Sequence, residues 1–111
     1  MNINYNFFEN LNKYNLPKKT IKLYFKTIKP LILLFKSINN EFNLMNFINE
    51  YDEIVGYLNN SINDNKLKIL IIQSIIYIIQ YFEINTEYFS MNKYNNYKNK
   101  YILLLNETIK K

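Results

Sequence analysis

Lysine is the residue type whose spacing in this chain points most directly to a chemistry. Between Asn10 and Asn40 the sequence contains seven lysines and no acidic residue. At the helical angle of about 100° per residue, five of them fall within an arc of about 80° and a sixth lies about 20° beyond it. These six residues, called the lysine ridge, are Lys18, Lys19, Lys22, Lys26, Lys29 and Lys36. A row of ammonium groups on one helix face favours an anionic partner.

The opposite side of the same segment is apolar. Seven apolar or aromatic residues between Ile21 and Phe35 occupy an arc of about 120° at helical spacing. The segment therefore predicts an amphipathic helix that buries one side and turns the lysine ridge outward. Pro17 suits the first helical position, where a missing donor costs little. The apolar pattern continues through Pro30, so this proline predicts a kink in the helix rather than its end.

Residue types that are missing exclude several chemistries. The chain has no cysteine, histidine or arginine and one glycine, Gly56. It therefore lacks thiolates for zinc fingers or catalysis, the usual general base at neutral pH, and bidentate phosphate clamps. One glycine cannot build a phosphate-cradling loop. Glu50, Asp52 and Glu53 precede or open a predicted helix, where acids more often complement the helix dipole than hold a metal. We expect no enzyme, no cofactor and no metal.

Charge is segregated along the sequence. The formal net charge is +5, yet residues 1–40 hold seven lysines and one acid, whereas residues 41–65 hold five acids and no lysine. This distribution predicts a polarised surface rather than a uniform polycation. The strongest apolar stretch, near residues 69–82, falls short of the roughly 20 residues that span a bilayer, and no signal peptide is evident. We expect an intracellular protein, in a host cell or a virion if viral, with no membrane partner.

Helical periodicity recurs along the whole chain and predicts an all-α, compact bundle of four to five helices. We expect one domain, with an N-terminal helix in residues 1–14 and the main bundle in residues 15–111. We expect a helix that is capped by Asn63 or Asp64 and runs to about Phe82. Its residues 67–79 are apolar nearly all round, which predicts the central helix of the bundle. The other expected elements are helices over residues 3–13, 17–38, 51–59 and 86–109, a short turn at residues 43–49, and a possible break at residues 95–96.

Two residue groups allow both a functional and a structural interpretation. The tyrosines at 88, 94, 97 and 101 have the spacing of a helix face and would suit stacking on unpaired bases. Isoleucine, asparagine, lysine and tyrosine dominate the composition, which indicates an AT-rich coding sequence in which tyrosine is common. We therefore expect these rings to pack within the protein. Gly56 marks either a close helix crossing or a tolerated glycine.

The order of these elements resembles a known family. Residues 16–24, LPKKTIKLY, resemble the opening of the core-binding, SAM-like domain of phage-type tyrosine recombinases, with proline, threonine and tyrosine at the family's spacing. Residues 51–58, YDEIVGYL, are similar to that domain's short middle helix, and residues 64–79 to its long central helix. The version found in large DNA viruses and mobile elements is the most similar in style. The resemblance covers about residues 15–105.

The resemblance implies a helical domain that forms half of a clamp around duplex DNA. Basic residues of its first and central helices face the DNA backbone. The candidate DNA-binding residues that follow, with Lys29 added from the lysine ridge, are Lys18, Lys19, Thr20, Lys22, Lys26, Lys29, Lys66 and Lys68. Position 66, usually threonine in the family, is lysine here. The family's catalytic half needs arginines and a histidine, which this chain lacks, so the resemblance implies binding without cleavage.

Three interpretations of the lysine ridge remain open at this point. It contacts nucleic acid, or it is a solvated face, or it docks on an acidic protein surface. The first leads to a duplex DNA-binding module. The competing class is a small structural or interaction protein, such as a virion component, that assembles through apolar and tyrosine surfaces as a homo-oligomer or with a viral partner.

Overall fold

The computed structural model describes the backbone of residues 5–11, 15–38, 44–84 and 91–111. It describes the side chains of residues 5, 6, 8–11, 15–36, 47–79 and 95–111. Six α-helices and no strands occupy these ranges, which confirms the all-α prediction. The helices are α1 Tyr5–Asn10, α2 Lys18–Ile38, α3 Leu44–Asn49, α4 Tyr51–Ser61, α5 Asn65–Ile84 and α6 Met91–Ile109.

Helix α2 begins one residue after Pro17, whose carbonyl accepts hydrogen bonds from the backbone N–H groups of Thr20 and Ile21 at 2.9 and 3.2 Å. Asn15 precedes this start with a φ of 53°, a left-handed conformation that asparagine tolerates better than most residues. The helix continues through Pro30, as predicted. Pro30 and Lys26 are both exposed, so water can reach the Lys26 carbonyl that lacks its helical donor.

Helix α5 is the central element of the bundle, as its sequence predicts. The Asp64 carboxylate accepts a hydrogen bond from the Lys66 backbone N–H at 2.9 Å and caps the helix. Helix α5 packs against both α6 and α2, and α1 packs against α2. Buried side chains of α5 form the middle of the core: Ile71, Ile72, Ile75, Tyr77, Ile78 and Ile79.

Polar anchors fix the neighbouring helices to this centre. The Asn65 side-chain amide donates to the Thr108 carbonyl at 2.9 Å, which joins the start of α5 to the end of α6. The Tyr77 hydroxyl donates to the Phe8 carbonyl and holds α1. The radius of gyration is 13.4 Å, close to the roughly 13 Å expected of one compact domain of this length.

Several boundaries differ from the sequence prediction. Residues 44–49 form helix α3 rather than a turn, which raises the number of helices above five in the described ranges. Helix α6 runs without a break through residues 95 and 96, so the interruption that the sequence left open is absent. The described part of the first helix is shorter than predicted, and residues 3, 4 and 12–14 lie outside the described residues. Within the described parts, no helix is long and apolar enough to cross a membrane.

Gly56 lies on α4 without a close neighbour. Among the described residues, a methyl group added at this position would meet no atom within 4 Å beyond its own stretch of helix α4. The close helix crossing that the sequence left open is therefore absent, and Gly56 is a tolerated glycine.

Candidate nucleic-acid interface

The six side chains of the lysine ridge are all exposed on one helix. Helix α2 buries its other side through Ile21, Ile28 and Leu31, each at most 2% exposed. This burial fixes the rotation of the helix, so the lysines face solvent together. Because α2 is one continuous helix, the ridge extends from its first residue to its last full turn. A helix of 21 residues is about 31 Å long.

The lysine ridge carries uncompensated positive charge. Among the described residues, no carboxylate forms an ion pair with any of its lysines. The contact that the structure does show is a cation–π contact, in which the Lys29 Nζ lies 5.8 Å from the centre of the Phe25 ring. The segment also contains no acid that an i, i+4 pair would need. The ridge therefore presents a field of one sign to any partner that approaches.

The remaining candidate residues, one on α2 beside the ridge and two on α5, differ in exposure. Thr20 is half-buried in the first turn of α2. Lys66 and Lys68 belong to the first turn of α5, where Lys66 is exposed and Lys68 is half-buried. The structure thus groups the α2 lysines on one face and places the α5 pair on a second helix.

Two features of the surface were missed by the sequence reasoning. The Asn65–Thr108 hydrogen bond brings the start of α5, with Lys66, beside the end of α6, where Lys110 and Lys111 are exposed. Only the tertiary fold reveals this second basic group. Leu33, which is 53% exposed, lies within the arc of the lysine ridge, and its helical angle of about 60° was a signal available from the sequence.

The tyrosines of α6 pack within the protein where the structure describes them. Tyr101 is fully buried, its hydroxyl donates to the Ile48 carbonyl at 3.3 Å, and its ring packs edge-on against Tyr51 with centres 5.0 Å apart. Burial, with nearby Tyr51 and Tyr97 adding to the effect, raises the pKa of Tyr101 well above its usual value. Tyr97 is half-buried. Residue 88 and the side chain of Tyr94 lie outside the described residues.

The acidic residues that the structure describes do not form a metal-binding cluster. The described residues contain no group of three acids positioned to hold a metal ion, and Glu50, Asp52 and Glu53 are exposed around the start of α4. A groove of about 160 Å³ opens between Leu16, Tyr24, Ile76 and Leu105. Small-molecule sites usually enclose about 300 Å³ or more, so this groove is too small for a typical cofactor.

Comparison with known proteins adds no assignment. No family model, curated protein or solved structure matches the chain.

Proposed function

We propose that this protein is a non-catalytic module that grips the backbone of duplex DNA through the lysine ridge. In this proposal it is a SAM-like domain of the core-binding type found in tyrosine recombinases of large DNA viruses and mobile elements. The observation that carries the proposal is the alignment of six exposed lysines along one 21-residue helix that itself contains no acid and pairs with none among the described residues.

Electrostatics favour a nucleic acid over a solvated face. On a solvated helix face, lysines usually alternate with acidic residues, and this alternation lowers the repulsion between the lysines. Here neighbouring ridge lysines repel one another, and binding to phosphates removes that repulsion while releasing counterions. Lys18, Lys19, Lys22, Lys26 and Lys29 are the proposed phosphate contacts, with Thr20 beside them. Lys66 and Lys68 are the proposed contacts from the start of α5.

A pair of charge-matched variants tests this proposal. Lys26→Glu changes an exposed residue of the ridge, and Lys100→Glu makes the same change of net charge on an exposed residue of α6. Binding to a fluorescent 25-base-pair duplex is measured by anisotropy at low salt. We expect Lys26→Glu to bind about tenfold more weakly, since a charge-assisted contact contributes about 1.5 kcal/mol. Lys100→Glu should bind almost as well as the original chain.

Two results would contradict the proposal. The first is that the original chain does not bind the duplex at low salt. The second is that the two variants lose affinity equally. Equal losses would show that net charge, and not the lysine ridge, governs the association.

Exposed aliphatic residues on α6 support a second candidate function, that of a structural or assembly protein. Ile102, Leu103 and Ile109 are 37%, 60% and 56% exposed, respectively. Ile102 and Ile109 lie on the same face of α6, two turns apart, and exposed apolar residues that share a helix face are typical of sites where another chain packs. Sedimentation of the protein with and without duplex DNA separates the two functions. A stable oligomer that ignores DNA favours assembly, and a monomer that binds DNA favours the first proposal.

A further inference from the structure

Three leucines of α2 are exposed, and Leu33 is the one that lies within the arc of the lysine ridge, since Leu23 and Leu34 lie at about 140° and 160°. Leu33 is 53% exposed, although the opposite side of the same helix is buried in the core. Its helical angle of about 60° places it inside the arc of the lysine ridge, with Lys29 one turn before it and Lys36 one turn after it. Any partner that contacts these two lysines therefore also meets an apolar side chain between them.

A row of phosphates alone does not suit this arrangement. Packing a leucine against phosphate oxygens removes water from charged groups and gives no compensating contact. The partner that fits the whole face offers anionic groups with an apolar group between them. Duplex DNA has this arrangement in the major groove, where two phosphate rows border base edges and thymine exposes its 5-methyl group.

The dimensions of α2 agree with this groove. The major groove is about 12 Å wide and admits an α-helix, whereas the minor groove is about 6 Å wide and does not. Around the axis of α2, Leu33 lies at about 60°, between two groups of exposed ridge lysines. Lys29 and Lys36 lie at about 20° and 0° on one side of it, and Lys19 and Lys26 at about 100° and 80° on the other. With these lysines on the phosphates, Leu33 points toward the base edges.

We infer that Leu33 contacts thymine methyl groups in the major groove and gives the protein a preference for thymine-containing duplexes. This inference rests on the proposed function, because it requires the lysine ridge to bind DNA. Lysine–phosphate contacts position the protein but carry no sequence information. The contact by Leu33 adds a modest preference to an otherwise nonspecific grip.

Replacing thymine by uracil isolates the methyl group, since uracil makes the same base pair without it. Two 25-base-pair duplexes of identical sequence, one with thymine and one with uracil on both strands, are compared by fluorescence anisotropy at fixed salt. We expect the original chain to bind the thymine duplex about fourfold more tightly for each methyl group that Leu33 covers, the fold-change that corresponds to about 0.8 kcal/mol per buried CH₂.

Two alanine variants assign the effect to its residue. Leu33→Ala should bind both duplexes with nearly equal affinity, because the side chain that covers the methyl group is gone. Leu103→Ala, which removes a 60% exposed leucine from α6, should keep the full preference for thymine. Both residues are exposed, so neither change should unfold the protein.

The outcomes separate this inference from the function on which it rests. Salt-sensitive DNA binding without any difference between thymine and uracil overturns the inference and leaves the proposed function in place. A preference that survives in Leu33→Ala overturns it as well. Absence of DNA binding overturns both proposals. Vesicles of phosphatidylserine serve as a further probe, and binding to them that needs Leu33, without DNA binding, would assign the face to an anionic membrane surface.

Discussion

Helices α2 and α5 are nearly equal in length, at 21 and 20 residues, yet they differ in how much of their surface the core covers. Helix α5 lies between α2 and α6, and seven of its nine residues from Ile71 to Ile79 are buried. Helix α2 is buried along one side, while its other side carries the lysine ridge. The difference separates two tasks, since α5 holds the fold together and the outer face of α2 is available for binding.

The largest change in the free energy of unfolding should come from truncating a buried side chain at the centre of α5. Ile75 is 0% exposed, so Ile75→Ala should lower the free energy of unfolding by about 2–5 kcal/mol through lost burial and a residual cavity. Leu33→Ala on the outer face of α2 should change it by about 0.5 kcal/mol or less. Urea denaturation of both variants measures the two values. Equal losses would mean that the outer face of α2 also supports the fold.

Tyr77 of α5 should make the stability of the core depend on pH. Burial, with smaller effects from Tyr5 and Glu9, raises the pKa of Tyr77 to about 12 from its ordinary value of 10.0. The folded state therefore keeps this proton at a pH where the unfolded state releases it. Stability should be fully present below about pH 10 and should fall as the pH rises toward 12. Thermal unfolding recorded between pH 8 and 11.5 measures this decline.

Tyr77→Phe isolates the contribution of this hydroxyl. At neutral pH the variant should lose about 1 kcal/mol, since the hydrogen bond to the Phe8 carbonyl is gone. The alkaline decline should become shallower without vanishing, because Tyr101 also has a raised pKa and acts in the same direction. An unchanged pH profile would show that Tyr77 ionises without disturbing the packing of α5.

Helix α4 resembles α2 because it buries one side, through Ile54 and Leu58. A substitution on this helix should give the smallest of these changes in stability. Gly56→Ala should raise the free energy of unfolding by about 0.5–1 kcal/mol, since alanine favours the helix and the added methyl meets no neighbour. Urea denaturation measures the gain. A loss of stability would reveal a contact at Gly56 that the bundle needs.

Local sequence patterns predicted the structure correctly where burial follows from the spacing of apolar and charged residues along one helix. The all-round apolar run predicted that α5 is central, Asp64 predicted its cap, and the spacing of the lysines predicted their common face. Each of these features is set by residues within a few turns of one another. The continuation of α2 through Pro30 followed from the same pattern.

Other features depend on contacts between distant residues, which local patterns do not contain. Asn95 and Asn96 are weak helix formers, yet α6 continues through them because Tyr101 and Leu105 further along the helix pack against the core. Helix α3 gains its stability from Phe47 and Ile48, which are buried against other helices. Lys66 lies beside the end of α6 because one hydrogen bond joins residues 65 and 108.

The salt dependence of DNA binding tests most directly whether the lysine ridge is the binding surface. If Lys18, Lys19, Lys22, Lys26 and Lys29 each neutralise one phosphate, these five contacts alone contribute about −4.5 to the slope of log affinity against log salt, and contacts by Lys66 and Lys68 make it steeper. Lys22→Glu/Lys26→Glu should make the slope shallower by about 1.8, since two of these contacts are lost. A slope near zero for the original chain, or the same slope in the variant, would contradict the account.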